Sequence, residues 1–283
     1  MVTALGTTRA CEVGGHTLNV VDAGAGPAIV LLHGAAPGAS AAGTWTALAP
    51  LLARSHRVIA PDFLGFGGSD KPLGQPYGVD LWTRQTLALA DILGLEQFSV
   101  VGNSLGGRVA LQLALDAPER VDRLVVMSTR VAPSKSPAQK LLRDYRPDRD
   151  MMREVLRECF AHDAATVTDR LVEARYALSA QPGAHEAIQT FFGAGASTPE
   201  EFEREVSALR HQTLVLHGRH DKVVPVSNGI RLAELMPHAE LHVFADAGHW
   251  FPAERAPAFH SLVTDFFSGT PAHTEAVDTA RLN

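Results

Sequence analysis

A serine set between glycines, Gly102-Asn103-Ser104-Leu105-Gly106, follows the apolar run Phe98-Ser99-Val100-Val101 and precedes a helical pattern. In that context a sharp strand-to-helix turn lifts the Ser104 hydroxyl above a sheet and aims a helix N-terminus at developing negative charge. The five letters alone also read as a glycine-rich turn with a capping serine. Serine is a weak nucleophile at neutral pH and needs a base held in one tautomer by a carboxylate. Both come later in the chain. Asp221 ends Leu216-His217-Gly218-Arg219-His220-Asp221 beyond one apolar run, and His249 ends Ala247-Gly248-His249 beyond another. The order serine, aspartate, histidine, each past the carboxyl end of an expected strand, assigns Ser104 as nucleophile, His249 as base and Asp221 as the carboxylate that orients it. His217 and His220 read as strand-end and loop histidines.

A tetrahedral oxyanion needs two donors aimed at one point. The Leu105 N–H is one. The Ala35 N–H, at the turn after Leu31-Leu32-His33-Gly34, is the expected second, although HGAAPGAS also suits an ordinary flexible turn.

These residues need a scaffold, and the apolar pattern supplies an α/β one. Short aliphatic runs at 28–32, 57–60, 98–101, 124–127, 213–217 and 241–244 predict strands covered on both faces. Amphipathic stretches at 81–93, 105–117, 228–236 and 257–267 predict the crossover helices between and after them. The alternation stops between Val131 and Arg210, where the chain becomes charged and helical in period. Pro133, Pro137, Pro147, Pro182 and Pro199 divide that stretch into several short helices. The expected organisation is an α/β-hydrolase core of residues 1–130 and 211–267, a mostly parallel sheet flanked by helices, with an inserted helical lid at 131–210. Residues 268–283 form a polar C-terminal tail expected to fray.

Composition narrows the function classes. The 283 residues are 46% hydrophobic, enough to bury a large core, and 25 basic against 31 acidic residues give a net charge of −6 with no basic stripe for nucleic acid. No apolar run reaches the roughly 20 residues that cross a bilayer, and the first ten residues lack a secretory pattern, so no membrane and a cytoplasmic setting are expected. Cys11 and Cys159, the two cysteines, fall outside disulfide or metal-ligand spacing and read as reduced thiols. The expected partner is a small-molecule substrate, with no metal and no organic cofactor; whether the chain forms a homo-oligomer is not legible.

From about Gly15 to Phe267 the chain resembles the meta-cleavage product hydrolases, in HGAAPGAS, PDFLGFGGSDKP, GNSLGG, HDAATVTDRLVEARY, GRHDKVVP and GHW. The lid segment and the GNS are the discriminating matches. The resemblance implies the same triad and adds substrate-binding residues: Asn103 and Trp250 along a dienoate, and Arg175 paired with its carboxylate and 2-oxo group. A planar guanidinium suits that bidentate target. It also implies a reaction. A vinylogous 1,5-diketo acid of the 2-hydroxy-6-oxohexa-2,4-dienoate type, from aromatic breakdown, moves a proton to reach its keto form, and Ser104 attacks the distal ketone. The carbon–carbon bond then breaks, and water releases the acyl half.

The chain departs from the family at Ala35 and Ala36, where a serine or glycine followed by a glycine is common. It departs also at Thr44, where an asparagine is expected, and at Ala165, a serine position of the lid. Ala36 and Thr44 are therefore counted with the substrate-binding residues, as positions that tune which dienoate fits. The triad by itself serves esterases, lactonases and cofactor-free haloperoxidase-like enzymes equally well, and a catalytically inactive binding protein would show a broken one.

Overall fold

The computed structural model describes residues 2–3, 6–131, 136–193 and 198–268. Nearly all of the polar tail expected at 268–283, and Pro133 of the lid, lie outside the described residues. Among the described residues nine strands form one sheet: β1 (Val2–Thr3), β2 (Gly6–Val13), β3 (His16–Ala23), β4 (Ala28–Leu32), β5 (Arg57–Pro61), β6 (Phe98–Asn103), β7 (Val121–Met127), β8 (Gln212–Gly218) and β9 (Ala239–Phe244). Their order is β1-β2-β3-β5-β4-β6-β7-β8-β9, and the last six in that order run parallel. β6 is buried along its whole length, as a strand covered on both faces must be. The six expected strands are all present. β1–β3 are additional and antiparallel. In β2 and β3 the buried Cys11, Val13, Leu18 and Val20 alternate with more exposed neighbours, a period-two pattern that offers no continuous apolar run.

Two helical layers cover the sheet. On one face lie α1 (Ala41–Trp45) and α2 (Ala49–Leu52); on the other, α3 (Val79–Ile92) and α4 (Leu105–Asp116). Between β7 and β8 the chain is helical: α5 (Pro137–Asp144), α6 (Arg149–Val155), a π-helical turn at Leu156–Phe160, a short 3₁₀ turn, α7 (Asp169–Ser179), α8 (Ala184–Gly193) and α9 (Pro199–Ser207). Pro137 and Pro199 open α5 and α9, where a missing N–H costs nothing. α5, α6, the π turn and α7 share a cluster around Tyr145, Met152, Leu156 and Val172, which reaches Val223 and Val224 after β8. α9 instead buries Phe202 and Val206 in the same core as α4. The chain then forms α10 (Ser227–Leu235), in the α4 layer, and α11 (Phe251–Glu254) and α12 (Ala256–Ser268), in the α1 layer. No helix among the described residues is long and apolar enough to cross a membrane.

Candidate active site

Ser104 joins β6 to α4 with φ 55° and ψ −110°, the left-handed side of the map that β-carbon-bearing residues avoid. Such a residue costs about 1–3 kcal/mol and persists only where its surroundings over-determine it. Here its N–H donates to Met127 O at 2.7 Å, and its carbonyl accepts from Gly107 and Arg108 N–H at 3.1 and 3.2 Å. The flanking glycines serve close approach rather than positive φ. A Cβ on Gly106 would collide with the Leu32 carbonyl, and one on Gly102 with the Gly106 carbonyl.

Asp221 and His249 leave the ends of β8 and β9 as expected. His249 Nδ1 lies 2.7 Å from Asp221 Oδ2, which puts a proton on Nδ1 and leaves Nε2 as the basic nitrogen. Asp221 Oδ1 accepts from the Val223 and Val224 N–H groups at 2.9 and 2.8 Å. Burial works to raise the Asp221 pKa, but the charges and hydrogen bonds of His249 and His217 win, holding it well below the usual carboxylate range. His217 is therefore more than a strand-end residue. Fully buried, it lies 3.5 Å from Asp221 Oδ2, and its Nε2–H donates to Val224 O at 2.8 Å. His220 points elsewhere and stacks on His162 at 4.4 Å.

A cavity of about 1070 Å³ runs across the carboxyl edge of the sheet, and Ser104, His249, Leu105, Ala35, Ala36, Thr44, Asn103, Arg175 and Trp250 all line it. Asp221 stands behind His249, outside the wall. Leu105 is the first residue of α4, so its N–H is a free helix-terminal donor at the serine. The loop carrying Ala35 presses on the same point: a Cβ built on Gly34 would sit 3.3 Å from Ser104 Cβ. His33, which the residue pattern did not single out, fixes that loop. Its Nδ1–H donates to Gly34 O at 2.9 Å, and its Nε2 accepts from Phe63 N–H at 3.0 Å. Burial lowers its pKa despite nearby Asp62, keeping it neutral. Asp62, also buried, accepts from Ala41 N–H at the start of α1 at 2.6 Å and from Gly68 N–H at 2.8 Å.

Arg175 sits on α7, 7% exposed, with no carboxylate partner among the described residues. Its Nη1–H reaches Pro37 O at 3.4 Å, and its guanidinium lies 5.1 Å from the Trp250 ring. Burial pushes its pKa down to about 10, so it stays charged at neutral pH. A buried cation without a counter-charge beside a cavity is a site prepared for an anion. Asn103 Oδ1, also buried, has no hydrogen-bond partner among the described residues, and Asn103 lines the same cavity. Thr44 donates its hydroxyl to Ser40 O at 2.9 Å, within its own helix, so it offers the cavity a methyl group and an acceptor oxygen. Ala165 is exposed and off the wall, whereas Thr166 beside it lines the cavity.

Phe160 is a cavity residue that periodicity did not reveal. It closes the π turn, whose signature Ala161 N–H to Leu156 O bond is 3.0 Å, and a π turn shifts side chains off the helical register. Its ring stacks on Trp250 at 5.4 Å and 14° and lies 5.4 Å from His249. Among the described residues no cluster of three or more His, Cys, Asp or Glu is placed to hold a metal.

Sheet order, strained serine and strand-end acid and base together define the α/β-hydrolase fold, whose family model matches residues 27–185 and 172–256. A 2-hydroxymuconate semialdehyde hydrolase from Pseudomonas sp. strain CF600 is 41% identical over 263 residues, covering 91% of this chain and 93% of that protein. A 2-hydroxy-6-oxo-2,4-heptadienoate hydrolase from Pseudomonas putida is 38% identical, covering 92% and 96%. The crystal structure of a meta-cleavage product hydrolase from Pseudomonas fluorescens IP01, a serine-to-alanine variant complexed with acetates, superposes with a TM-score of 0.85 at 36% identity, over 92% of this chain and 97% of that one. The chain belongs to the meta-cleavage product hydrolases of this fold family.

Proposed function

We infer that this enzyme hydrolyses a carbon–carbon bond in vinylogous 1,5-diketo acids, the 2-hydroxy-6-oxohexa-2,4-dienoate class formed by ring cleavage of aromatic compounds. The observation that carries this reading is Arg175: a buried guanidinium without a carboxylate partner among the described residues, on the same cavity wall as Ser104 and His249. An ester substrate gives that cation nothing to do. A 2-hydroxydienoate gives it a carboxylate and an adjacent oxygen on which negative charge develops.

Roles follow from position. Arg175 holds the carboxylate end, with Trp250 and Phe160 against the planar diene, and Asn103 Oδ1 accepts from the 2-hydroxyl. As the proton moves from that hydroxyl to C5, the guanidinium stabilises the dienolate. Ser104 Oγ, its proton taken by His249 Nε2, then adds to the C6 ketone. The Leu105 and Ala35 N–H groups receive the oxyanion. The C5–C6 bond breaks, its electron pair leaves with the diene fragment, and His249 returns the proton. Water activated by His249 releases the acyl group from Ser104 as a carboxylic acid. Helices α5–α8 and the π turn act as the lid that keeps the cavity dry. A cytoplasmic setting is part of the same reading, supported by the two free, buried thiols of Cys11 and Cys159.

The test is loss of the visible absorbance of 2-hydroxy-6-oxohexa-2,4-dienoates bearing methyl, phenyl or no 6-substituent, run beside p-nitrophenyl esters, for wild type and Arg175→Ala. Dienoate cleavage is expected to dominate and to collapse in the variant. Faster ester turnover, indifferent to Arg175→Ala, overturns the reading in favour of an esterase.

A further inference from the structure

Behind the triad stands a buried imidazole that the reaction above does not use. His217, next to last in β8, is wholly buried. Val224 O, 2.8 Å from its Nε2, can only accept, so the proton of the ring sits on Nε2 and Nδ1 is bare. Nδ1 has no hydrogen-bond partner among the described residues and lies against Gly229 of α10, where a Cβ would approach it to 2.7 Å. An apolar ring would fill the same space without leaving a buried acceptor unpaired, so what a histidine adds here is its Nε2–H.

That N–H serves the loop that carries the acid. It donates to the Val224 carbonyl, and the Val224 N–H donates in turn to Asp221 Oδ1 at 2.8 Å, so ring, peptide and carboxylate close a circuit. The same Nε2 lies 3.5 Å from Asp221 Oδ2, the oxygen that accepts from His249 Nδ1 at 2.7 Å. Two imidazoles therefore meet on one carboxylate oxygen: His249, which lines the cavity, and His217, outside its wall. The dipole of the rear N–H draws on the negative charge of Oδ2. His249 must take a proton from Ser104, give it to the diene fragment and repeat the exchange with water. A carboxylate whose charge faced His249 alone would hold the imidazolium too firmly to release that proton readily.

The other titratable groups nearby are engaged elsewhere. Asp122 and Arg123 of β7 lie 3.7 Å from each other, Arg231 of α10 pairs with Glu203 and Glu234, and His242 of β9 packs on Phe244. Arg219 and Glu240 are exposed. Lys222, beside Asp221, pairs with Glu158 of the π turn, and His220 stacks on His162. On the His249 side, Arg175 shares the cavity wall, Glu254 holds the Gly248 N–H, and Asp246 faces Arg255.

We propose that His217 is a positioning residue for the triad: its Nε2–H fixes the Val224 peptide against Asp221 and shares Oδ2 with His249, which keeps His249 able both to accept and to give up a proton. This rests on the triad mechanism above but not on the substrate, so whichever of dienoate or p-nitrophenyl ester is turned over serves as the probe.

The test measures kcat and kcat/KM against pH for wild type, His217→Phe and His217→Gln. Phenylalanine fills the space without the N–H, whereas the glutamine amide reaches the place of Nε2 and keeps a donor. In His217→Phe, kcat is expected to fall about tenfold with KM little changed, and the acid limb of kcat/KM to move up by about half a pH unit, because Asp221 then turns its whole charge on the imidazolium. His217→Gln should restore the limb and most of kcat. In an Asp221→Asn background, His217→Phe should lower kcat no further, since it acts through Asp221. A packing role alone would lower Tm and leave the limb in place. An unmoved limb in His217→Phe, a glutamine variant no better than the phenylalanine one, or the same loss in the Asp221→Asn background therefore overturns the proposal. Should His217→Phe not fold, His217→Asn, whose amide stops short of Val224 O, takes its place with the same expectations. Activity surviving in Ser104→Ala would instead overturn the triad mechanism itself.

Discussion

The carboxyl edge of the sheet and the helical insertion above it hold their halves of the site by different means. At the edge, position comes from backbone: Ser104 is pinned by hydrogen bonds to Met127, Gly107 and Arg108, and Asp221 by two N–H groups of its own loop. In the insertion, Arg175 and Phe160 are placed by packing, and the Arg175 guanidinium makes one long hydrogen bond, 3.4 Å to Pro37 O. Backbone positioning tolerates drift in side chains elsewhere, which lets one triad serve many substrates. Packing-based positioning is easily altered, and there the choice of substrate is made.

The sharpest break of that comparison removes the nucleophile. Ser104→Ala is expected to lower kcat by about 10⁴–10⁶-fold while substrate still binds, because Arg175 and the cavity walls remain. Stopped-flow absorbance should show a bound dienoate that does not decay. Rapid decay would mean the edge does not do the chemistry.

Asp221→Asn comes next, with an expected loss of about 10³–10⁴-fold in kcat from the wrong histidine tautomer. It has a second signature. Because the folded-state pKa of Asp221 is depressed, its contribution to stability is present above the unfolded value, about 3.9, and disappears as pH falls through the folded one. Wild type should therefore lose stability relative to Asp221→Asn as pH drops below about 4, in denaturant titrations at a series of pH values. Parallel curves would show that the carboxylate is not held in its charged form.

In the insertion, Arg175→Lys keeps a charge but loses the planar fork, and should cost about 10²-fold in dienoate kcat/KM with esters little changed. Gly38→Ala reaches the same helix from below. Gly38 has φ +66°, and a Cβ there would strike the Arg175 carbonyl, so the variant should push α7 off the β4 loop and raise KM about tenfold. Wild-type KM in both variants would mean that α7 does not position the substrate.

How much of this was legible follows the same division. Ser104 and Asp221 could be read because each follows an aliphatic run that folds as a covered strand; His249 follows β9, where Glu240 and His242 are exposed and only Leu241, Val243 and Phe244 mark the strand, yet order and spacing were still enough. The antiparallel β2 and β3 escaped because half their residues are polar and face outward. Phe160 escaped because a π turn breaks the period by which helices are read, and His217 because nothing in the sequence says that its ring turns back toward Asp221. Arg175 was reachable only through resemblance: along α7 it is one arginine among several charged residues, and its burial depends on how the helix docks.

The joint between the two regions gives the mildest test. Glu254, on α11, accepts from the His162 and Asp163 N–H groups through Oε1 at 2.6 and 2.9 Å, and from the Gly248 N–H through Oε2 at 2.8 Å. One carboxylate thus ties the turn after the π helix to the residue before His249. Glu254→Gln keeps the size but turns one oxygen into an amide donor facing N–H donors, so at least one bond is lost and its partner left unsatisfied. A loss of about 1–2 kcal/mol is expected, or about 2–4 °C or more in Tm, with turnover falling only a few-fold because neither triad nor Arg175 is touched. Hydrogen exchange should quicken around 161–163 and 248–250 and stay unchanged in β6. If turnover instead fell as far as in Arg175→Lys, the joint would be setting the geometry of both regions, and the edge could not be treated as holding itself.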